Sequence, residues 1–177
     1  VARNLYDLFG AYRTSTDVWA GIKYYREPNG EITVDFEQTK RNIEYAAGVA
    51  GFRTIEVGSG CWGLGSFQNP PVYDRKTGKP LPKDERAKIK TNFMKLYLNE
   101  VCDFLEERGW LDRAFLQLTD EPPRDKWNWI LGSYEGARLV EPRIRTQTVV
   151  AIHPEIQGLF DIWVPHAAYY DRETYRQ

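Results

Sequence analysis

Residues 113–123 (RAFLQLTDEPP) constrain the fold more than any other stretch of the chain. A short apolar run ends in two acids, Asp120 and Glu121, and then in Pro122 and Pro123. Neither proline can donate a ladder hydrogen bond, so a strand entering here must stop. Alternation puts Ala114, Leu116, Leu118 and Asp120 on one face, and Phe115, Gln117, Thr119 and Glu121 on the other. The first face is almost wholly apolar and suits packing against helices. The second turns polar toward its C-terminal end and suits the mouth of a barrel. The acids then stand at the C-terminal edge of a buried strand, where α/β barrels carry their chemistry. Adjacent acids before prolines are also ordinary solvated loop chemistry, so on residue types alone both readings stand.

The remaining pattern alternates. Leu5, Leu8, Phe9 and Tyr12 have helical spacing over 4–12. A strand over 18–25 and a second over 32–36 flank an Asn29-Gly30 turn and predict a hairpin. A helix over 36–50 turns Ile43, Ala46, Ala47 and Ala50 to one side, with Gly51 to end it. A strand over 54–57 leads into a long loop at about 58–83, whose residues 74–79 read as a hairpin tip. The longest helix is expected over 84–108, with Ile89, Phe93, Leu96, Tyr97, Val101, Phe104 and Leu105 as its apolar stripe and Gly109 as its stop. After the opening strand come a helix over 125–140, a strand over 146–152, a short helical turn over 155–160 and a strand over 161–164. Trp127 or Trp129, Ile130, Tyr134, Ala137 and Leu139 are the apolar residues available for burial on the 125–140 helix.

Such alternation means parallel strands joined by crossovers. The fold class it predicts is α/β, a (β/α)8 TIM-type barrel that is incomplete. About five core strands are evident against eight in a closed barrel, and the 177 residues fall short of the typical ~250. The whole chain reads as a single partial barrel domain. An open doubly wound sheet is the rival, but the glycines of 58–65 lack the dinucleotide fingerprint and the phosphate-loop pattern.

Charge narrows the partners. Lys and Arg number 24 against 25 Asp and Glu, a net charge of −1, which gives no electrostatic reason to expect nucleic acid or a membrane surface. Aromatic residues make up 14%, and flat rings pack well on sugar C–H faces as well as in cores. Two cysteines, Cys61 and Cys102, are too few for a disulfide framework, and Cys102 is expected as a buried thiol. No paired metal-ligand spacing occurs, so neither metal nor cofactor is expected. The first residues, Val1 to Asn4, have no initiator methionine or signal pattern and read as the start of a piece of a longer protein.

Residues 107–122 (ERGWLDRAFLQLTDEP) resemble the signature of the glycoside hydrolase family 123 catalytic domain, in which a helix ending in Gly-Trp-Leu precedes a strand ending in Asp-Glu-Pro. Residues 160–165 (FDIWVP) with 169–171 (YYD) resemble a second segment of that family, and 34–36 with 51–52 fit it more loosely. The resemblance implies a retaining exo-glycosidase on a (β/α)8 barrel that cleaves β-linked N-acetylgalactosamine or a related N-acetylhexosamine. It also implies substrate assistance: the sugar's 2-acetamido oxygen attacks the anomeric carbon. Glu121 matches the general acid/base, and Asp120 the residue that orients the acetamido group. A secreted or periplasmic parent would follow from it. The family's N-terminal sandwich domain is absent from this chain, and the missing barrel strands leave sheet edges for other segments or another chain to cover.

The assignment is chemically coherent. A neighbouring negative charge raises a carboxyl pKa and keeps an acid protonated, and substrate-assisted families need no protein nucleophile. Neighbours on an ideal strand point apart, so cooperation of the two acids predicts a kink at residues 119–122. Further candidates each carry a structural alternative. Trp163 is a sugar-ring floor or core filling. His153 and His166 bind sugar hydroxyls or simply end their strands. Tyr169 or Tyr170 reaches the acetamido oxygen or caps a helix. Trp62 walls the pocket or packs its loop. Glu56 is a second carboxylate or an interior hydrogen-bonding group, and Asp161 is structural. Two further functions stay open: a two-carboxylate glycosidase on sugars without an acetamido group, and a non-catalytic carbohydrate-binding or assembly domain.

Overall fold

The computed structural model describes residues 21–49, 51–59, 70–120, 127–150 and 154–164. Strands β1 (Lys23–Arg26) and β2 (Ile32–Asp35) form the expected antiparallel hairpin. Its turn is closed by the Gly30 N–H on the Glu27 carbonyl, with Gly30 at φ 88°. Helix α1 (Glu37–Ile43) runs on into a π-helical segment, Glu44–Val49. Ile43, Ala46 and Ala47 are buried, and Gly51 at φ 73° follows the helix.

Strand β3 (Ile55–Ser59) comes next, then β4 (Val72–Asp74) within the long connection. The tip at 74–79 closes as expected, with the Gly78 N–H on the Asp74 carbonyl and the Asp74 N–H on the Lys79 carbonyl. The single long helix expected over 84–108 is two helices. Short α2 (Lys83–Arg86) ends early, and α3 (Phe93–Glu107) starts afresh after Asn92, whose side chain accepts from the Lys95 N–H at 3.0 Å. Asparagine is among the best residues for satisfying a first-turn donor, so a cap outweighs continuity here. Gly109 at φ 67° ends α3, with the Trp110 N–H returning to the Leu105 carbonyl.

The opening strand is β5 (Ala114–Asp120), followed by α4 (Trp127–Val140), β6 (Arg145–Val149), a turn through 154–159 and the two-residue β7 (Ile162–Trp163). On α4, Ala137 is buried and Tyr134 packs on the core, whereas Leu139 is 85% exposed and not part of the buried face.

The sheets correct the expected architecture. The hairpin does not join the parallel strands; it pairs with β4 in a separate three-stranded sheet, ordered β2-β1-β4. The parallel sheet has four strands, ordered β3-β5-β6-β7. Among the described residues this sheet is open, with β3 and β7 at its edges, and no closed barrel forms. The fold is mixed α/β. Also among the described residues, no helix is long and apolar enough to cross a membrane.

Helix α3 packs on the apolar face. It buries Phe93, Tyr97, Leu98, Val101, Cys102, Phe104 and Leu105 in one cluster with Ile55, Val57, Ala114, Leu116 and Leu118. The apolar face expected of β5 is thus the helix-facing one. Phe115 and Gln117 are buried as well, at 1% and 5% exposure, so β5 is covered on both faces, as parallel strands are.

Candidate active site

The site is best built from register. Partners across a parallel ladder share a face, and alternate residues along a strand return to it. One alternate set holds Glu56 on β3, Phe115 and Gln117 on β5, and Arg145, Gln147 and Val149 on β6. Glu56, Gln117 and Gln147 are all buried. The other set is the helix-facing one, with Leu116 opposite Thr146. The sheet therefore has a helix side that is largely apolar and a second side carrying a row of buried polar groups.

Two register shifts break the simple alternation. Between β5 and β6, Gln117 pairs with Gln147 but Thr119 pairs with Thr148, so Leu118 is an extra residue on β5. Between β3 and β5, Glu56 pairs with Phe115 but Gly58 pairs with Leu116, so Val57 is an extra residue on β3. Such bulges bend a strand and re-aim the side chains beyond them, and they recur beside active sites. The β3 bulge has visible support. Tyr97 on α3 donates its hydroxyl to the Val57 carbonyl at 2.9 Å, inside the core. Burial pushes the Tyr97 hydroxyl far above its ordinary pKa, so it remains a neutral donor. Gly58 lies so close to β5 that a Cβ there would stand 3.1 Å from Leu116 Cδ1.

The shift at Leu118 alters the expected phase. Strict alternation puts Asp120 in the set of Leu118, on the apolar face. Instead position 120 falls in register with Val149, the set of Arg145 and Gln147. The irregularity lies just before the kink expected at 119–122, and 121–122 lie outside the described residues. Asp120 ends β5 as expected, and only its backbone is described. Directly beneath it in the row, Gln147 Nε2 donates to Gln117 Oε1 at 3.2 Å, in buried surroundings. Gln117 was legible as a polar interruption of an apolar run. Its pairing with Gln147 was not, because nothing in the sequence gives the cross-strand register.

Of the other candidates, Trp163 is described. It pairs in register with Thr148, packs edge-on against Phe160 at 5.5 Å between ring centres, and donates its indole N–H to the Phe160 carbonyl at 3.2 Å. Half-buried against the core cluster, it makes the contacts of its structural alternative. Glu121, Trp62, His153, His166, Tyr169 and Tyr170 lie outside the described residues. Glu56 is buried at the β3 end of the polar row. Burial pushes the Cys102 thiol up to about 12, so it stays protonated and inert. Among the described residues no cluster of three or more His, Cys, Asp or Glu is arranged to hold a metal.

The opposite end of the sheet is built from paired charges. Asp161, just before β7, takes both contacts of Arg138 NH2 at 2.8 Å and accepts from the Thr146 N–H at 2.7 Å. Arg143, just before β6, meets Glu141, Asp103 and Glu106 at 2.6 to 2.8 Å. Its hydrogen bonds hold the buried Glu141 carboxyl below the ordinary range. Arg113 donates to the carbonyls of Phe52 and Arg53 ahead of β3. These groups tie strand starts to helix ends, as expected for Asp161.

Comparison with known proteins fits this geometry. A family 123 glycoside hydrolase from Clostridium perfringens, whose structure was analysed for the details of glycolipid glycan hydrolysis, superposes with a TM-score of 0.55 at 16% identity. The match covers 86% of this chain and 27% of that one, so the chain spans about a quarter of the length of this relative. No curated protein sequence matches. Residues 18–171 match the family described as Glycoside hydrolase 123, catalytic domain, a span that takes in both sheets and every helix described above. The chain belongs to the glycoside hydrolase 123 catalytic-domain family.

Proposed function

We propose that this domain hydrolyses β-linked N-acetylgalactosamine, or a related N-acetylhexosamine, with retention and with help from the sugar's own 2-acetamido group. The observation that carries the reading is the end of β5. Strand β5 closes on Asp120, which Glu121 and two prolines follow in the sequence, and its register shift brings position 120 into the alternate set of the buried polar row. In this reading the four parallel strands belong to a (β/α)8 barrel whose remaining strands come from elsewhere. The polar row lines its interior, and the acids stand at the C-terminal mouth.

The chemistry runs in two steps. The acetamido oxygen attacks the anomeric carbon as the glycosidic C–O bond breaks, and Glu121 gives its proton to the departing oxygen. Asp120 accepts from the acetamido N–H, which makes the acetamido oxygen a better nucleophile. Glu121 then takes a proton from the water that opens the oxazolinium-like intermediate. Asp120, ionised beside it, keeps the Glu121 pKa high enough for the first step.

The two-carboxylate alternative suffers from distance. Glu56 stands in register with Phe115, itself opposite Arg145, whereas Asp120 stands opposite Val149. Four residues of parallel strand separate those levels, about 13 Å at ~3.3 Å per residue. Retaining carboxylates stand ~5–5.5 Å apart, so the register argues against Glu56 as the retaining partner of Asp120.

The test is hydrolysis of aryl N-acetylgalactosaminide against aryl galactoside by the intact protein, together with binding of a thiazoline mimic of the cyclised intermediate. Glycolipid glycans, hydrolysed by the Clostridium perfringens relative, are the natural substrates to assay next. Assistance predicts turnover of the acetamido sugar alone, tight thiazoline binding, and severe loss in Asp120→Asn. Full activity in Asp120→Asn would end the assisted mechanism. Glycan binding with no turnover would instead favour a non-catalytic carbohydrate-binding domain.

A further inference from the structure

We propose that the face formed by residues 75–95 is a docking surface for acidic glycans, which seats the carboxylate or sulfate groups of a sugar chain in a groove beside Lys88 and Lys90. The choice of a glycan rests on the proposed function, while the surface itself is separate from the strand-end acids. It starts from an uneven distribution of charge. The whole chain carries −1, yet residues 75–95 hold eight lysines and arginines against two carboxylates, Asp84 and Glu85. That stretch is +6, which leaves −7 for the rest of the chain. Its six lysines, Lys76, Lys79, Lys83, Lys88, Lys90 and Lys95, are all exposed. Like charges gathered on one face repel one another and raise the local concentration of anions.

Arg26 gathers the stretch onto one side of the hairpin. Its guanidinium meets Glu85 on α2 at 2.7 Å and Asp74, at the base of the 74–79 tip, at 3.7 Å. Between the hairpin turn and residues 85–91 lies a groove of about 490 Å³. Ile32 and Ile89, both packed against the core, give it apolar lining, and Arg26, Glu85, Lys88 and Lys90 give it charge. Glu85 is answered by Arg26, whereas among the described residues no carboxylate pairs with Lys88 or Lys90. The groove is therefore basic, with apolar surface for sugar C–H faces and ammonium groups for acidic substituents. An extended polyanion such as nucleic acid would also meet the negative remainder of the chain, whereas a short glycan meets only the patch.

The surface stands at the same end of the parallel sheet as the proposed cleft. Helix α3 has 15 residues and is about 22 Å long at ~1.5 Å per residue. Its last turn lies at the strand starts, because residues 109–113 lead straight into β5 and Arg113 donates to the Phe52 and Arg53 carbonyls ahead of β3. Its first turn therefore lies toward the strand ends, where Tyr97 reaches Val57. Residues 83–92 run directly into that first turn.

The experiment titrates the intact protein with a sulfated hexasaccharide of alternating N-acetylgalactosamine and glucuronic acid, its desulfated form, and a neutral N-acetylglucosamine hexasaccharide. Phosphatidylserine vesicles and a single-stranded oligonucleotide are titrated alongside. The sulfated sugar is expected to bind roughly tenfold or more tighter than the neutral one at ~50 mM salt, with the advantage shrinking at ~300 mM. The desulfated sugar, which keeps its carboxylates, is expected to fall between them. Lys88→Gln with Lys90→Gln is expected to weaken the sulfated sugar about tenfold, with neutral-sugar binding, melting temperature and turnover of an aryl N-acetylgalactosaminide unchanged, since exposed lysines contribute little to folding. Equal affinity for the sulfated and neutral sugars, or an unweakened double variant, overturns the proposal. So does tighter binding of the vesicles or the oligonucleotide than of the sulfated sugar. The two layers separate by readout: failure to turn over the aryl sugar defeats the proposed function, whereas turnover with no preference for the acidic sugar defeats only this inference.

Discussion

The two ends of the parallel sheet solve opposite problems. At the strand starts two arginines meet carboxylates: Arg143 those of Glu141, Asp103 and Glu106, and Arg138 that of Asp161. From mid-strand toward the strand ends, the buried polar residues described are uncharged: the amide pair Gln117 and Gln147, and Thr148. The first arrangement neutralises charge and fixes geometry, which serves stability. The second is uncharged, which in the proposed mechanism adds no cation that would compete with the pairing of the two acids. In barrels the starts of strands carry stability and the ends carry function, and the proposed function would place that division on this sheet.

The sharpest way to break that contrast is to exchange the expected consequences. Glu121→Gln is expected to lower kcat by roughly 10²–10⁴-fold with the melting temperature nearly unchanged. A large loss of stability with retained turnover would put the acid in the wrong class. Arg143→Met should do the reverse. It leaves Glu141, 4% exposed in its side chain, buried without its cation, at about 2–4 kcal/mol of folding stability. Activity per folded molecule should be untouched.

The acid dependence of the Arg143 variant sharpens the point. The folded-state pKa of Glu141 is depressed, first of all by hydrogen bonds from Arg143. That stabilisation is complete above the ordinary glutamate pKa and disappears as pH falls through the lower folded value. The stability gap between wild type and Arg143→Met should therefore be widest at neutral pH and narrow on acidification. Denaturant melts across pH 3 to 7 measure it, and a gap that widens toward acid would refute the assignment.

Smaller effects probe the bulges. Tyr97→Phe leaves the Val57 carbonyl without its buried donor and should cost about 1–2 kcal/mol. If Val57 matters only as core, the cost will be near zero, since the ring remains. Gly58→Ala asks the Leu116 side chain to give by a few tenths of an ångström and should cost under about 1 kcal/mol, read from the same melts.

Much of this was legible in residue patterns. The hairpin about Asn29-Gly30, the Gly109 stop, the apolar stripe of α3 and the strand that ends at Asp120 all follow from local rules, because turn chemistry and burial periodicity act over a few residues. Asn92 was legible too, as a capping residue before Phe93, but the continuous apolar stripe masked it. The separate β2-β1-β4 sheet was not legible. A hairpin can lie in either sheet, and β4 chose by pairing with β1 across a long stretch of chain.

What the sequence determined alone is the end of β5: an apolar strand that must stop at two prolines, with two acids at its tip, in a pattern similar to one family's. What only the tertiary structure decided is which positions share a face. Leu118 and Val57 each take one residue out of register. A single extra residue reverses the phase of everything after it, because side chains on a strand alternate with a period of two. That reversal brings position 120 into the polar row, above an amide pair assembled from strands 30 residues apart in sequence. No local pattern encodes it, since register is settled by packing between strands and not within one.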